Sequence, residues 1–332
     1  MSDSLEMRAL IVDSANGPLR LVSLPRPVLR AGQVLVRIKA SGVNPLDAKI
    51  RSGEAAHARQ PLPAVLGMDL AGTVEALGEG VSEWLPGDEV YAMATGIGGA
   101  QGSLAEFAVV DSRLLAHKPK NLSMREAAGL PLVLITAWEG LVDRARVRAG
   151  QKVLIHGGAG GVGHVAVQIA RSCGAEVFAT GSAGHKGIIE SFGATFIDYR
   201  ASSVEDYVAE FTSGEGFDVV YDTVGGGVLD DSFKAVRVYE GHVVSCLGWG
   251  QHSLAPLSFR GATYSGVFTL LPLLTGKGRE HHGQILQDAT RLIEAGQLKP
   301  LLNPRQFTLE TAEAAHELLV SGSSQGRLVV EI

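Results

Sequence analysis

The sequence predicts an α/β protein of two domains, a β-rich and partly closed barrel joined to a doubly wound parallel sheet. Three observations carry this expectation. Short strands punctuated by Gly and Pro turns fill the chain up to Val110. From Gln151 onward strands and helices alternate, which implies a parallel sheet covered on both faces. And 332 residues exceed what one ordinary hydrophobic core holds.

The elements follow in order. Met7 to Val12 is a short apolar run, closed by the turn Asn16-Gly17-Pro18-Leu19. Leu19 to Leu24 reads as a second strand. Gln33 to Ala40 alternates apolar and polar residues, as a half-buried strand does. Gly72 to Leu77, Glu89 to Ala92 and Ser103 to Val110 are further strands, with Pro86-Gly87-Asp88 as a turn between the first two. Ser123-Met124-Arg125-Glu126 has the form of a capping box. The helix it opens is expected to run from Glu126 to Val142 with an interruption near Pro131.

In the second half the expected strands are Val153–Ile155, Glu176–Thr180, Thr195–Ile197, Phe217–Tyr221 and His242–Cys246. Helices are expected at Val162–Ser172, His185–Phe192, Val204–Phe211 and Val228–Val236. After Tyr264 the alternation stops. His281 to Ala295 and Leu309 to Val320 read as helices, and Gly326 to Ile332 as a terminal strand. That tail is too short to form a domain and is expected to return to the first one.

Composition narrows the function classes. A net charge of −6 and a pI near 5.9 point away from nucleic acid or an anionic membrane as partner. No apolar run reaches the about 20 residues of a membrane span. Met1-Ser2-Asp3-Ser4-Leu5-Glu6 lacks a basic start followed by an apolar segment, so no signal peptide is read and a cytoplasmic location is expected. Cys173 and Cys246, the only cysteines, cannot make a four-thiolate zinc site.

The most informative stretch is His156-Gly157-Gly158-Ala159-Gly160-Gly161-Val162-Gly163. It lies between a strand and a helix, and Gly158, Gly160 and Gly163 fit G-x-G-x-x-G. The first glycine permits a tight turn, the second lets backbone approach a pyrophosphate, and the third lets helix and strand pack closely. The helix N-terminus then offers free N–H groups to phosphate. Ala159, Gly161 and Val162 join the three glycines as expected cofactor contacts. NAD sites usually carry an acid about 20 residues further on. Here the second strand ends Phe178-Ala179-Thr180-Gly181-Ser182, with no acid to repel a 2′-phosphate. Ser182 can donate a hydrogen bond there, and Lys186 offers a point charge, although taken alone it reads as an exposed helix charge; NADPH is the expected cofactor once the resemblance below adds Tyr199 to them.

The chain resembles the medium-chain dehydrogenase/reductase superfamily, in its zinc-independent, zeta-crystallin-like quinone oxidoreductase branch. The resemblance is carried by Ser41-Gly42-Val43-Asn44-Pro45-Leu46-Asp47, Gly67-Met68-Asp69, Pro86-Gly87-Asp88, Leu134-Ile135-Thr136-Ala137-Trp138-Glu139, the glycine loop, Ile197-Asp198-Tyr199-Arg200, Asp218 to Gly225 and Gly326-Arg327-Leu328-Val329-Val330. It implies a GroES-like β-barrel catalytic domain (residues 1–125, completed by 267–332), a Rossmann domain (126–266) and a cleft between them. It also implies 2′-phosphate contacts at Ser182, Lys186 and Tyr199. Asn44 is expected as a donor to substrate or ribose, and Asp47 as an orienting acceptor. The competing reading is that an Asn-Pro-x-Asp turn satisfies its own backbone. Thr136 is expected near the nicotinamide, and backbone of Leu247 and Gly248 beside its ribose.

Zinc-dependent relatives have Cys where this chain has Asn44, His where it has Met68, and a third ligand near Leu132; no metal is therefore expected. Without a Lewis acid, a quinone or an α,β-unsaturated carbonyl is the expected hydride acceptor, because it delocalises the arriving charge. The alternatives are a zinc-free alcohol dehydrogenase, an enoyl-thioester reductase, or a crystallin-like or RNA-binding protein that keeps NADPH. A homodimer is expected, through strands near Ala262–Val267. Lys49, standing where the family often has tyrosine, is either a proton donor or a solvated charge.

Overall fold

The computed structural model describes residues 6–332; the N-terminal stretch read above for a signal peptide lies almost wholly outside them. The chain forms two compact units. One comprises the chain up to Leu132 with Leu270–Gly296 and Pro300–Ile332; the other comprises Val133–Thr269 and Gln297–Lys299. Among the described residues no helix is long and apolar enough to cross a membrane.

The first unit is built from β1 (Glu6–Val12), β2 (Arg20–Pro25), β3 (Gln33–Val43), β4 (Ala64–Val65), β5 (Asp69–Leu77), β6 (Glu89–Met93), β7 (Phe107–Asp111) and β8 (Ala116–His117). β3 is its organising strand. Val34, Val36 and Ile38 point inward at every second position and pack on Leu70, Val74, Val90 and Val110. Its first half pairs with β7 and with β5. Its second half keeps β5 and takes the terminal strand Leu328–Glu331 as its other neighbour. Register shifts at Leu35/Val36 and Ile38/Ala40 bend it between the two regimes. Gly42 is required on this strand, because a Cβ there would lie 2.3 Å from the Ala128 carbonyl oxygen of the capped helix Met124–Ala128. The helix Pro45–Ser52, which no sequence signal announced beyond the Asn-Pro turn, follows β3 directly. Lys49 is exposed on it.

The helix Ala312–Val320 packs against Pro45–Ser52 and buries His316, which is 1% exposed and has no partner for either ring nitrogen. Burial, reinforced by the nearby Arg51 and opposed by Glu313, pushes its pKa down to about 4. A depressed histidine stabilises the fold above its unfolded value of about 6.5, and that stability is lost as pH falls toward 4. His316→Leu, of similar volume, removes the loss. The variant is expected to gain on the wild type by up to about 3 kcal/mol between pH 7 and pH 4. Urea denaturation at several pH values checks this, and a constant difference would refute it.

The second unit holds six parallel strands in the order β11-β10-β9-β12-β13-β14. They are β9 (Lys152–Ile155), β10 (Glu176–Gly181), β11 (Thr195–Asp198), β12 (Val219–Asp222), β13 (His242–Ser245) and β14 (Thr263–Gly266). β9 and β12 are neighbours though three strands apart in sequence, so the chain reverses direction across the sheet there. In such sheets ligands bind outside the carboxyl ends of the strands at this reversal. Leu154, Phe178, Val220 and Val243 from four strands share one core with Leu229 and Phe233 of the helix Gly227–Ala235. The expected helix beyond Glu126 is interrupted as anticipated. Met124–Ala128 stops at Gly129, and Pro131–Trp138 runs on into a π-helical turn over Glu139–Arg144.

Candidate functional site

The glycine loop leaves β9 at Gly157, whose φ of 73° needs glycine. Its N–H donates to Thr180 Oγ1 at 3.1 Å, and the Gly158 N–H donates to the Thr180 carbonyl at 2.9 Å. β10 thus holds the loop from one side. Gly160 caps the helix Gly161–Ser172 and donates its N–H to the Gly157 carbonyl at 2.8 Å. A Cβ on Gly163 would lie 2.0 Å from that carbonyl oxygen. The first-turn N–H groups have no partners within the helix.

A cavity of about 840 Å³ opens at these strand ends. Ala159, Gly160, Gly161 and Val162 line it, as do Ser182 and Tyr199. Gly158 and Gly163 do not; they are packed behind the loop, against Ala179 and Gly157. Lys186 does not line it either. Its ammonium is exposed and 3.9 Å from Glu190. His185 takes the lining position instead, its Nδ1 3.3 Å from Ser182 Oγ. Arg200, which carried no expected role, lies over the Tyr199 ring at 5.6 Å. The carboxylate of Asp222, at the end of β12, accepts the N–H groups of Val224 and Gly225 at 2.9 and 2.8 Å and the Ser245 hydroxyl at 2.7 Å. It thereby fixes the turn that makes the cavity's Val224 wall. Leu247 follows β13, its N–H donating to Ser245 Oγ at 3.1 Å, and Gly248 is exposed. Thr136 is buried, and its carbonyl accepts the Tyr221 hydroxyl at 2.6 Å. None of these last three lines the cavity.

In the first unit, Asn44 and Asp47 belong to a buried polar cluster. The Asn44 side chain, 0% exposed, donates from Nδ2 to Asp69 Oδ2 at 2.9 Å and accepts from Arg327 Nη2 at 2.6 Å. Asp69 Oδ1 accepts the Leu132 N–H at 2.9 Å. Arg327 also donates from Nε to the Gly129 carbonyl at 2.8 Å and lies 3.4 Å from Asp69 Oδ2. Asp47 Oδ2 accepts the Asn44 backbone N–H at 2.8 Å, while its Oδ1 has no partner. Burial raises the Asp47 carboxyl to about 7, opposed chiefly by the Asn44 N–H, and Asp69 to about 6, opposed chiefly by Arg327. The structure does not bring Asn44 or Asp47 to the cavity: the Asn44 amide is bonded to Asp69 and Arg327 and is 0% exposed, and Asp47 Oδ2 accepts the turn's own backbone N–H.

The zinc positions can be tested on the same residues. Asn44 presents an amide already in use, Met68 a fully buried thioether, and Leu132 only a backbone N–H spent on Asp69. Of the two carboxylates nearby, Asp69 is bonded to three donors, and Asp47 is turned to the Asn44 backbone N–H. Among the described residues no group of three or more His, Cys, Asp or Glu side chains could hold a metal. Zinc asks for thiolate, imidazole or carboxylate in a tetrahedral array, and these residues do not fit it.

The alcohol dehydrogenase GroES-like domain family matches residues 30–120, and the zinc-binding dehydrogenase family matches residues 192–330. The chain is 34% identical to an NADPH-dependent alkenal/one oxidoreductase, chloroplastic, of Arabidopsis thaliana, over 98% of this chain and 79% of that protein. It is 30% identical to a quinone oxidoreductase of Homo sapiens, over 98% and 97%. An alcohol dehydrogenase superfamily protein from Novosphingobium aromaticivorans superposes with a TM-score of 0.96 at 55% identity, covering 98% of this chain and 99% of that one.

Proposed function

The chain belongs to the medium-chain dehydrogenase/reductase superfamily, and from that premise we propose that it is an NADPH-dependent oxidoreductase passing hydride to quinones or α,β-unsaturated carbonyls without zinc. The observation that carries the reading is the cavity that brings the glycine loop together with Ser182 and Tyr199 beside the acid-free end of β10. The bound dinucleotide supplies the hydride; the chain supplies position and electrostatics.

The residues divide that work. The N–H groups of Gly161 and Val162 face the pyrophosphate, and Gly158 and Gly163 let the loop close behind it. The Ser182 hydroxyl and Tyr199 receive the 2′-phosphate, with His185 beside them and Lys186 and Arg200 as exposed cations around it. Leu247, Gly248 and Thr136 are assigned to the nicotinamide half. Asn44 and Asp47 enter as a buried framework rather than as groups touching the reacting atoms. With no metal, the charge arriving on the acceptor must be spread through its own conjugation and met by hydrogen bonds, which suits a quinone or enone better than a simple alcohol.

Purified protein mixed with NADPH and a panel of quinones and enones is expected to consume the cofactor; no consumption with either class overturns the reading. Ser182→Asp places a carboxylate against the 2′-phosphate. It is expected to lower kcat/KM for NADPH by about 100-fold while leaving NADH within about threefold, from like-charge repulsion at short range. Equal losses for both nucleotides would dissociate Ser182 from the phosphate. We also read the enzyme as a cytoplasmic homodimer. β14 ends the sheet with one side unpaired, and Tyr239 and Phe259, 82% and 86% exposed, lie near it in the same unit. Light scattering at the 34.8 kDa monomer mass would exclude the dimer, and recovery in a membrane fraction the location.

A further inference from the structure

On the NADPH reading just given, the loop amides take the pyrophosphate, and Ser182 and Tyr199 take the 2′-phosphate. The rest of the same cavity is then left for the purine. Its flanks are Val204, Val224 and Val228, and its polar side chains include His156, Tyr207, Glu205, Asp231 and Lys234. The phosphate assignments use none of these five.

His156 is 4% exposed, and its Nε2 has no protein partner. Its Nδ1 lies 3.2 Å from Thr180 Oγ1. That hydroxyl accepts the Gly157 N–H, and Nδ1 is the acceptor within reach of its own proton; donating there satisfies the buried hydroxyl and leaves the imidazole proton on Nε2. Burial keeps the ring neutral, with its pKa pushed down to about 4. A buried N–H without an acceptor is costly until something accepts it. Asp231 stands on the helix Gly227–Ala235. One carboxylate oxygen takes the Lys234 ammonium at 2.9 Å, and the other has no hydrogen-bond partner among the described residues. His156, Tyr207 and this carboxylate line one cavity.

A buried donor and an acceptor lining the same cavity, flanked by valines, complement a flat ring that carries an amino group beside a ring nitrogen acceptor. Adenine presents that pair on its 6-amino/N1 edge; hypoxanthine reverses both members. We propose that His156 Nε2–H and the unpartnered oxygen of Asp231 read the 6-amino edge of the adenine of NADPH, making them specificity residues for the purine. Tyr207 and the valines shape the slot.

Calorimetric titration of the full chain with NADPH and with its 6-oxo analogue, nicotinamide hypoxanthine dinucleotide phosphate, tests this. The wild type is expected to prefer NADPH by about tenfold, the worth of one charge-assisted hydrogen bond. Asp231→Asn offers an amide that can accept from an amino group or donate to an oxo group, so the preference is expected to fall to about one. Asp231→Ala is expected to weaken NADPH about tenfold and lose the preference as well. A structural role for Asp231 would move both ligands together and keep their ratio. Asp231 is half-exposed on its helix, and unchanged thermal midpoints keep the comparison sound. Equal affinities in the wild type, or a preference that survives Asp231→Asn, overturn this proposal alone. Binding of neither nucleotide overturns the NADPH reading and the proposal with it.

Discussion

Replacing Arg327 with methionine is expected to destabilise the first unit by about 3–5 kcal/mol, the range found when one partner of a buried ion pair is removed. The guanidinium and the Asp69 carboxylate are almost inaccessible, at 5% and 0%. Arg327 also joins the Gly129 carbonyl to the Asn44 amide, so its loss strands these two acceptors and leaves Asp69 Oδ2 only the Asn44 Nδ2 donor. The deficit should depend on pH. Asp69 already sits near 6 because burial raises it, and Arg327 is the strongest influence pulling it down. Without the guanidinium the carboxyl moves higher still and survives burial only as the neutral acid. A carboxyl raised in the fold contributes stability below its unfolded value of about 4 and loses it as pH rises through the folded value. The penalty is therefore largest at pH 8 and smaller at pH 5. Adding Asp69→Asn to Arg327→Met should recover part of the loss, because the uncompensated charge is gone. Denaturant midpoints of the single and double variants at both pH values measure this. A loss below about 1 kcal/mol, or one that does not change with pH, would show that the cluster is not held electrostatically.

That cluster marks the boundary of what the sequence made legible. Local signals carried far. The strand–loop–helix setting of Gly158 to Gly163, the capping box at Ser123 and the apolar runs Val153–Ile155 and His242–Cys246 all rest on neighbours within a few residues. Each of those elements is found within a residue or two of its expected bounds. Asn44, Asp69 and Arg327 share no such window. They meet because Leu328–Glu331 pairs antiparallel with the end of β3, which sets Arg327 opposite Asn44. The motifs holding all three were visible, but the hydrogen bonds among them were not. The same limit explains the exchange of Lys186 for His185 at the cavity. One residue of difference in a 3₁₀ turn, Ala183–His185, decides which side chain turns inward, and charge alone favours the lysine. Thr180 gave no signal either, since a threonine in an apolar strand is unremarked until its hydroxyl is seen holding Gly157. His316 is a similar case. Its burial follows from how two helices meet, and a histidine in an Ala- and Glu-rich helix otherwise reads as a surface residue.

Gly163→Ala is expected to raise the Kd for NADPH at least about 100-fold, or about 2.7 kcal/mol, while the protein still folds. The added methyl would sit 2.0 Å from the Gly157 carbonyl oxygen and 2.8 Å from its carbon. Both are backbone atoms, and neither can yield as a long side chain does. That oxygen is also the acceptor for the Gly160 N–H that closes the loop, and Gly157 is itself tied through its N–H to Thr180. The helix must therefore lift from the loop, or the Gly157 peptide must rotate and lose its bond to Gly160. Either movement misaims the first-turn N–H groups, whose value to a phosphate depends on direction and on the dipole behind them. The stability cost, about 1–3 kcal/mol for overpacking, is smaller than the total stability usual for a domain, so binding fails before folding does. Gly187→Ala supplies the control. A Cβ there meets nothing within 4 Å in the helix Lys186–Ser191, so the same chemical change should leave Kd alone and stabilise the helix slightly. Fluorescence titration of both variants with NADPH decides the matter. If Gly163→Ala binds as tightly as Gly187→Ala, the loop is not the phosphate cradle, and the cofactor must be sought elsewhere on the chain.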